Sequence, residues 1–244
     1  TSSVGLVTVH QCNHVGRVGG DPSYAVEHDM VGMMTNNGHG ADLAMAPWGG
    51  TGRILPANCV AMAFPSDREF PVVLDLTTAV AAGGKVRVAL ARGEETPEGW
   101  LVDADGNPTT DPNVYINEPK GSLVPFGGPV GHKGSGLAFA IDILSGALSP
   151  AGCSRANSEV TGNALFVQVI RIDAFRKLDD FKAEVGRFID FVKSAKPAPG
   201  FDEVLVPGER SHRTREERLK NGIPVDDTVW GRLQELGEKL GVKV

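Results

Sequence analysis

The sequence predicts an α/β protein built around a mixed sheet. Short apolar, β-branched runs alternate with amphipathic helical stretches along the whole chain. No segment repeats at a 20-to-50-residue period, so solenoids and propellers are excluded. No apolar run approaches the roughly 18 residues that a membrane span needs. At 244 residues, with 41% hydrophobic and 22% charged side chains, the chain can bury one sizeable core.

The elements follow in order. Val4 to Val9 (VGLVTV) is bounded by small polar residues and reads as a buried strand. A Gly-rich polar loop comes next. Tyr24 to Asp29 reads as a short helix, with Asp21 or Ser23 as N-cap and Pro22 in its first turn. Val31 to Met34 is a second strand that ends in the polar loop TNNGHG. Val60 to Phe64 and Val72 to Leu76 are further strands. Gly83-Gly84 breaks or starts a helix within 78–91. Residues 94–111 are turn-dense; the DADGN stretch is half of a calcium loop without its bidentate Glu, so a plain turn is expected. Gly134 to Leu148 reads as a strongly buried helix entered through glycines, and Ala164 to Ile172 as the clearest strand. Asp173 to Ala195 carries an apolar stripe through Phe181, Val185, Phe188, Ile189 and Val192. Asp226 to Leu240 carries another through Val229, Trp230, Leu233, Leu236 and Leu240. The expected organisation is a core over 1–195, with a turn-rich excursion near 93–128. Residues 196–244 form an extended segment and a helix packing back on it.

Composition narrows the function. A net charge of −6 argues against a general nucleic-acid surface. The one basic cluster, Arg210 to Lys220, is interleaved with Glu216 and Glu217, as on a solvated helix. Three cysteines without CxxC spacing fit a reducing, cytoplasmic setting. No HExxH-like spacing supports a metal site. GxGxxG and GxSxG are both missing, so neither a Rossmann dinucleotide site nor a nucleophile elbow is indicated.

Two of the six histidines stand out. His14 lies in QCNHVG, just past the carboxyl end of a strand, where ligands gather in open α/β sheets. His132 lies in GPVGHKGSG at a helix start, where backbone N–H groups and Lys133 favour an anion. The alternative for each is a loop histidine bonded to a neighbouring backbone group. His10, His28, His39 and His212 sit in less suggestive surroundings. The residues alone therefore reach an α/β enzyme with a Gly-rich anion or cofactor loop.

The segments CNHVGRVG, VAMAFP, VLDLTTAVAAGGKVRVALARGE, TPEGWLVDADGNPTTDP, LVPFGGPVGHKGSGLA and VPGERSHRTREERLKNGI occur in that order. Together they resemble the type 2 malate/L-lactate dehydrogenase family, in its hydroxycarboxylate dehydrogenase-like branch. The resemblance implies a three-layer, non-Rossmann mixed-sheet fold and NAD- or NADP-dependent interconversion of 2-hydroxy and 2-keto acids. It implies no nucleic acid or membrane as partner, and a homodimer. By that likeness His14 and Lys133 are catalytic. Val15 and Gly16, then Asp75, Leu76, Thr77, Thr78 and Ala79, then His132, Asn163, Gly208 and Glu209 contact the cofactor. The chain departs from the family pattern at three places. A TNP-like tripeptide is Ala57-Asn58-Cys59, the Tyr of a KGYG loop is Ser135, and a frequent Ser is Ala79.

Family members also carry about a hundred residues before this point, including an SHG segment whose histidine is often assigned as proton donor. No SHG occurs here. The expectation is that activity needs that N-terminal portion, as a missing segment or a separate chain. A second expectation starts from Thr1, which precedes a strand as in N-terminal nucleophile hydrolases. There Thr1 would attack an amide substrate, formed by self-cleavage and without a cofactor. Geometry opposes a shared site, because about ten residues of strand separate Thr1 from His14 by roughly 30 Å.

Overall fold

A computed structural model describes residues 2–40, 43–156 and 161–243; Thr1 and the side chain of His39 lie outside what is described. In chain order the strands and helices are β1 (Val4–Cys12), α1 (Gly20–Glu27), β2 (Met30–His39), β3 (Cys59–Phe64), β4 (Val72–Thr77), α2 (Gly83–Arg92), β5 (Leu101–Val102), β6 (Pro108–Thr109), β7 (Ser122–Leu123), α3 (His132–Ile141), β8 (Gly162–Arg171), α4 (Leu178–Lys193), α5 (Glu209–Asn221) and α6 (Asp227–Leu240). The main sheet has the order β1-β8-β2-β3-β4, and a small sheet has the order β6-β5-β7.

The predicted α/β layering holds. Both sheets are laced by antiparallel ladders, and parallel pairing is seen in the isolated bridge Met45↔Leu123. One face of the main sheet lies under α1 and the loop before it, where Val18 packs on Met34, Ala61 and Leu165. The other face meets α3 and the π-helical turn that extends it over Asp142–Ala147. There Thr35 shares a hydroxyl hydrogen bond with Ser145 (2.7 Å), and Asn37 donates to Asp142 (2.8 Å). A second core gathers Met45, Val86, Leu101, Leu123 and Ala138 between α2, α3 and the small sheet. Burying each of its large side chains contributes roughly 1.5–3 kcal/mol.

Several elements differ from the sequence reading, each for a physical reason. β1 is an edge strand paired with β8, and Leu6 and Val7 are 63% and 54% exposed, so the run is not buried. β-branched composition marks a strand but does not say which neighbours it has. β2 continues through the TNNGH stretch read as loop, because β3 and β8 pair with it on both sides as far as Asn36 and β8 to His39. α1 begins at Gly20, earlier than read, with Pro22 in its first turn. A Cβ on Gly32 would lie 2.7 Å from Pro22 Cα, so glycine there lets α1 sit directly on β2. The stretch after Gly134 is buried on one side only, with Phe139 and Leu148 exposed. The turn-dense region contains the small sheet, and Asp103 closes its tip by accepting from the N–H groups of Asp105 and Asn107.

Candidate functional site

Part of the candidate set, from Cys12 through the loop to Gly19 together with Asn163 and Asp75, lies on the face of the main sheet beneath α1. Cross-strand register aligns Asn36, Cys59 and Thr77 in one row, with Cys12 and Asn163 paired two residues further along the same face and Asp75 two residues back along β4. β1 reaches this band through a bulge between Val9 and Cys12, with Gln11 at φ 57°. A bulge bends its strand and re-aims the chain beyond it. In β1 this turns the loop that carries His14.

His14 is exposed, and its Nδ1 accepts the Gly16 N–H at 3.0 Å. In the neutral ring that bond places the proton on Nε2, which can then act as a donor. Gly16 adopts φ 72°, a turn that places its N–H for this contact. Val15 is half-buried against the Val18 cluster and anchors the loop. The loop is then tied to the sheet at Asp75. That carboxylate accepts the Gly19 N–H at 3.0 Å and pairs with Arg17 Nε at 3.2 Å.

The end of β4 and the two residues after it are tied into the packing. Thr78 is fully buried, and its N–H and hydroxyl both donate to Asn58 O. Thr77 donates its hydroxyl to Ala57 O at 3.0 Å. Ala79 is 3% exposed and belongs to the second core, while Leu76 is half-buried. Asn58 is itself buried and bridges Gly38 N–H to Ala138 O. Burial raises the pKa of the neighbouring Cys59 thiol and keeps it protonated.

His132 and Lys133 open α3 and are exposed. The edge of His132 meets Trp48, with ring centroids 6.0 Å apart. Ser135, where the family has Tyr, accepts the Trp48 N–H at 3.1 Å. A Cβ on Gly134 would lie 3.1 Å from Thr78 O and closer still to Phe126, so glycine packs the head of α3 against the end of β4. No hydrogen bond among the described residues joins His14 to Lys133.

At the far side of β4, the segment before α5 runs along the strand edge, and Val73 N–H donates to Pro207 O at 3.2 Å. Gly208 caps α5 at φ 95°, where a Cβ would lie 2.7 Å from Pro71 O. Two adjoining cavities, of about 790 and 490 Å3, open here and share Arg17, Val73, Gly208 and Ser211 as walls. Glu209 walls neither of these, but lines a third cavity of about 540 Å3 that shares Glu69, His212 and Glu216 with the first. Its carboxylate is 7% exposed and receives Lys193 Nζ at 2.8 Å, Arg213 and the Val206 N–H. Asn163 is 8% exposed, with its amide N–H groups on backbone carbonyls. The amide oxygens of Asn163 and Asn36 are buried without a hydrogen-bond partner among the described residues.

These residues fit a dinucleotide. The unpartnered amide oxygens can accept from a carboxamide or hydroxyl. Arg17, Arg210 and the first turn of α5 present donors to phosphate or ribose. Arg17 and Asn36 were missed by the sequence reading. A lone arginine among glycines is a usable signal, whereas the orphaned oxygen of Asn36 depends on strand register.

Fold and site define an α/β enzyme with a cleft beside β4 that can hold an extended, charged ligand. The family model for malate/L-lactate dehydrogenase matches residues 1–234. A malate dehydrogenase of Pyrococcus abyssi is 36% identical over 250 aligned positions, covering 99% of this chain and 67% of that protein. An L-sulfolactate dehydrogenase of Methanocaldococcus jannaschii is 37% identical over 248, covering 99% of this chain and 68% of that protein. The structure of a putative malate/lactate dehydrogenase from E. coli superposes with a TM-score of 0.89 at 30% identity, covering 99% of this chain and 67% of that one. The chain belongs to the malate/L-lactate dehydrogenase family, and it spans about two thirds of the length of these relatives. It is thereby an oxidoreductase of the hydroxyacid dehydrogenase type. The alternative of an N-terminal threonine amidase finds no support among these relatives, and Thr1 lies outside the described residues.

Proposed function

We propose that this chain catalyses the NAD(H)- or NADP(H)-dependent interconversion of a small 2-keto acid and its 2-hydroxy acid, with His14 as proton donor and acceptor. The carrying observation is the Gly16 N–H on His14 Nδ1, which leaves Nε2–H as the donor of an exposed ring. A nicotinamide cofactor supplies or removes the hydride when bound. His14 Nε2 gives its proton to the keto oxygen as negative charge develops there, and takes it back from the hydroxyl in the reverse direction. Lys133 and the first N–H groups of α3 hold the substrate carboxylate, a small anion at a helix start. Asn163 and Asn36 accept hydrogen bonds from the cofactor, and Gly208 lets the head of α5 sit against β4 beside its cleft. A homodimer, or an assembly with an N-terminal chain, is the working unit in this reading.

The test is NADH- and NADPH-dependent reduction of a panel of 2-keto acids by the purified enzyme in its native assembly. His14→Ala should lower turnover by at least about 10²-fold while dinucleotide binding persists. Lys133→Ala should chiefly raise the KM for the keto acid. Full turnover in His14→Ala, or no binding of either dinucleotide, overturns the proposal.

A further inference from the structure

We infer that the Arg17–Asp75 pair decides which adenine dinucleotide the site accepts, and that it selects the one with an unphosphorylated ribose. The inference rests on the dinucleotide-dependent reading above and deepens it. β4 supplies the scale. Its Thr77 end abuts the loop that leads to the head of α3, and Asp75 lies two residues back, roughly 7 Å along the strand. Val73, two residues further, is bonded to Pro207 just before α5. A dinucleotide laid along this edge with its reacting ring at the His132 end carries its adenosine half past Asp75 to the first turn of α5.

At that point the structure offers a fixed carboxylate. Asp75 Oδ2 is occupied by the Gly19 N–H and Arg17 Nε, and the side chain remains 24% exposed. Its other oxygen is available to a ribose hydroxyl. The same charge repels a phosphate on that hydroxyl. Arg17 would favour the phosphate, but its Nε is held 3.2 Å from Asp75 Oδ2, so its charge is shared with that carboxylate. Over the two adjoining cavities Arg17, Arg210 and Arg215 are outnumbered by four carboxylates, Asp75 among them. A phosphate placed against the Asp75 carboxylate is therefore unfavourable, and a hydroxyl donor there is favourable.

The test uses two fragments that lack the nicotinamide ring, ADP-ribose and 2′-phospho-ADP-ribose, with affinity read by calorimetry. The unmodified enzyme should bind ADP-ribose at least about tenfold more tightly, the size of one charge-assisted contact. Asp75→Asn should erase most of that ratio by freeing Arg17 for phosphate. Asp75→Asn with Arg17→Ala should lose whatever phosphate affinity the single variant gained. Should Asp75→Asn fold poorly, Arg17→Ala alone keeps the test, since it should widen the ratio further. Preference for the phosphorylated fragment, or a ratio indifferent to these variants, overturns the inference. Failure to bind either fragment overturns it too. The dehydrogenase reading is decided separately, by hydride transfer to 2-keto acids.

Discussion

Glu209 shows how residue type and residue role can separate. The family resemblance assigns the PGER segment to the cofactor, and within it the Glu209 carboxylate turns inward to Lys193, Arg213 and the Val206 N–H. Burial opposes its ionisation, but these donors together hold its pKa below the ordinary carboxylate value. Glu203, bonded chiefly to Arg213, is pushed down to about 2. A lowered folded pKa contributes stability above the ordinary value near 4.5, and that stability is lost as pH falls toward 2. Glu209→Gln should therefore cost about 1–3 kcal/mol at pH 7, because Lys193 and Arg213 are partly exposed and can rehydrate. It should also flatten the acid limb of a melting-temperature series, and an unchanged limb would contradict this account. The glycine loops around His14 and His132 were legible from composition. The inward turn of Glu209 was not, since nothing local in the sequence says which partner a carboxylate will find.

At the scale of elements, the strands were more legible than their neighbours. β3, β4 and β8 lie within a residue or two of the expected runs, because continuous apolar stretches bounded by polar residues leave little choice. The TNNGH stretch reads as loop because Thr35 and Asn37 look like loop residues until their partners are known. Those partners are Ser145 and Asp142 on the π-helical turn, more than a hundred residues away. Asp142 also accepts from the N–H and hydroxyl of Ser154. Asp142→Ala would leave the buried Asn37 amide and the half-buried Ser154 donors unmatched, and denaturant unfolding should show a loss of about 3 kcal/mol. Loss below about 1 kcal/mol would mean that water replaces the carboxylate. Gly208→Ala should prise α5 from β4, since its Cβ would meet Pro71 O at φ 95°. Its signature should be weaker dinucleotide binding with little change in turnover at saturation.

Over the whole molecule, apolar surface is distributed unevenly. On α6, Val229, Trp230, Leu233, Leu236 and Leu240 are 41% to 66% exposed, and on α4 Phe188 and Phe191 are as open. The periodicity of both helices was plain in the sequence, but periodicity names the apolar face and not what covers it. No helix among the described residues is long and apolar enough to cross a membrane.

The bond from Val73 N–H to Pro207 O has a kinetic meaning as well. It fastens the approach to α5 against the outer edge of β4, beside the cleft proposed for the adenosine half. Whenever that segment lifts, the Val73 amide is released to solvent and can trade its proton for deuterium. Its exchange rate is thus a clock for the opening of the cleft. A bound dinucleotide should slow that clock in proportion to its occupancy.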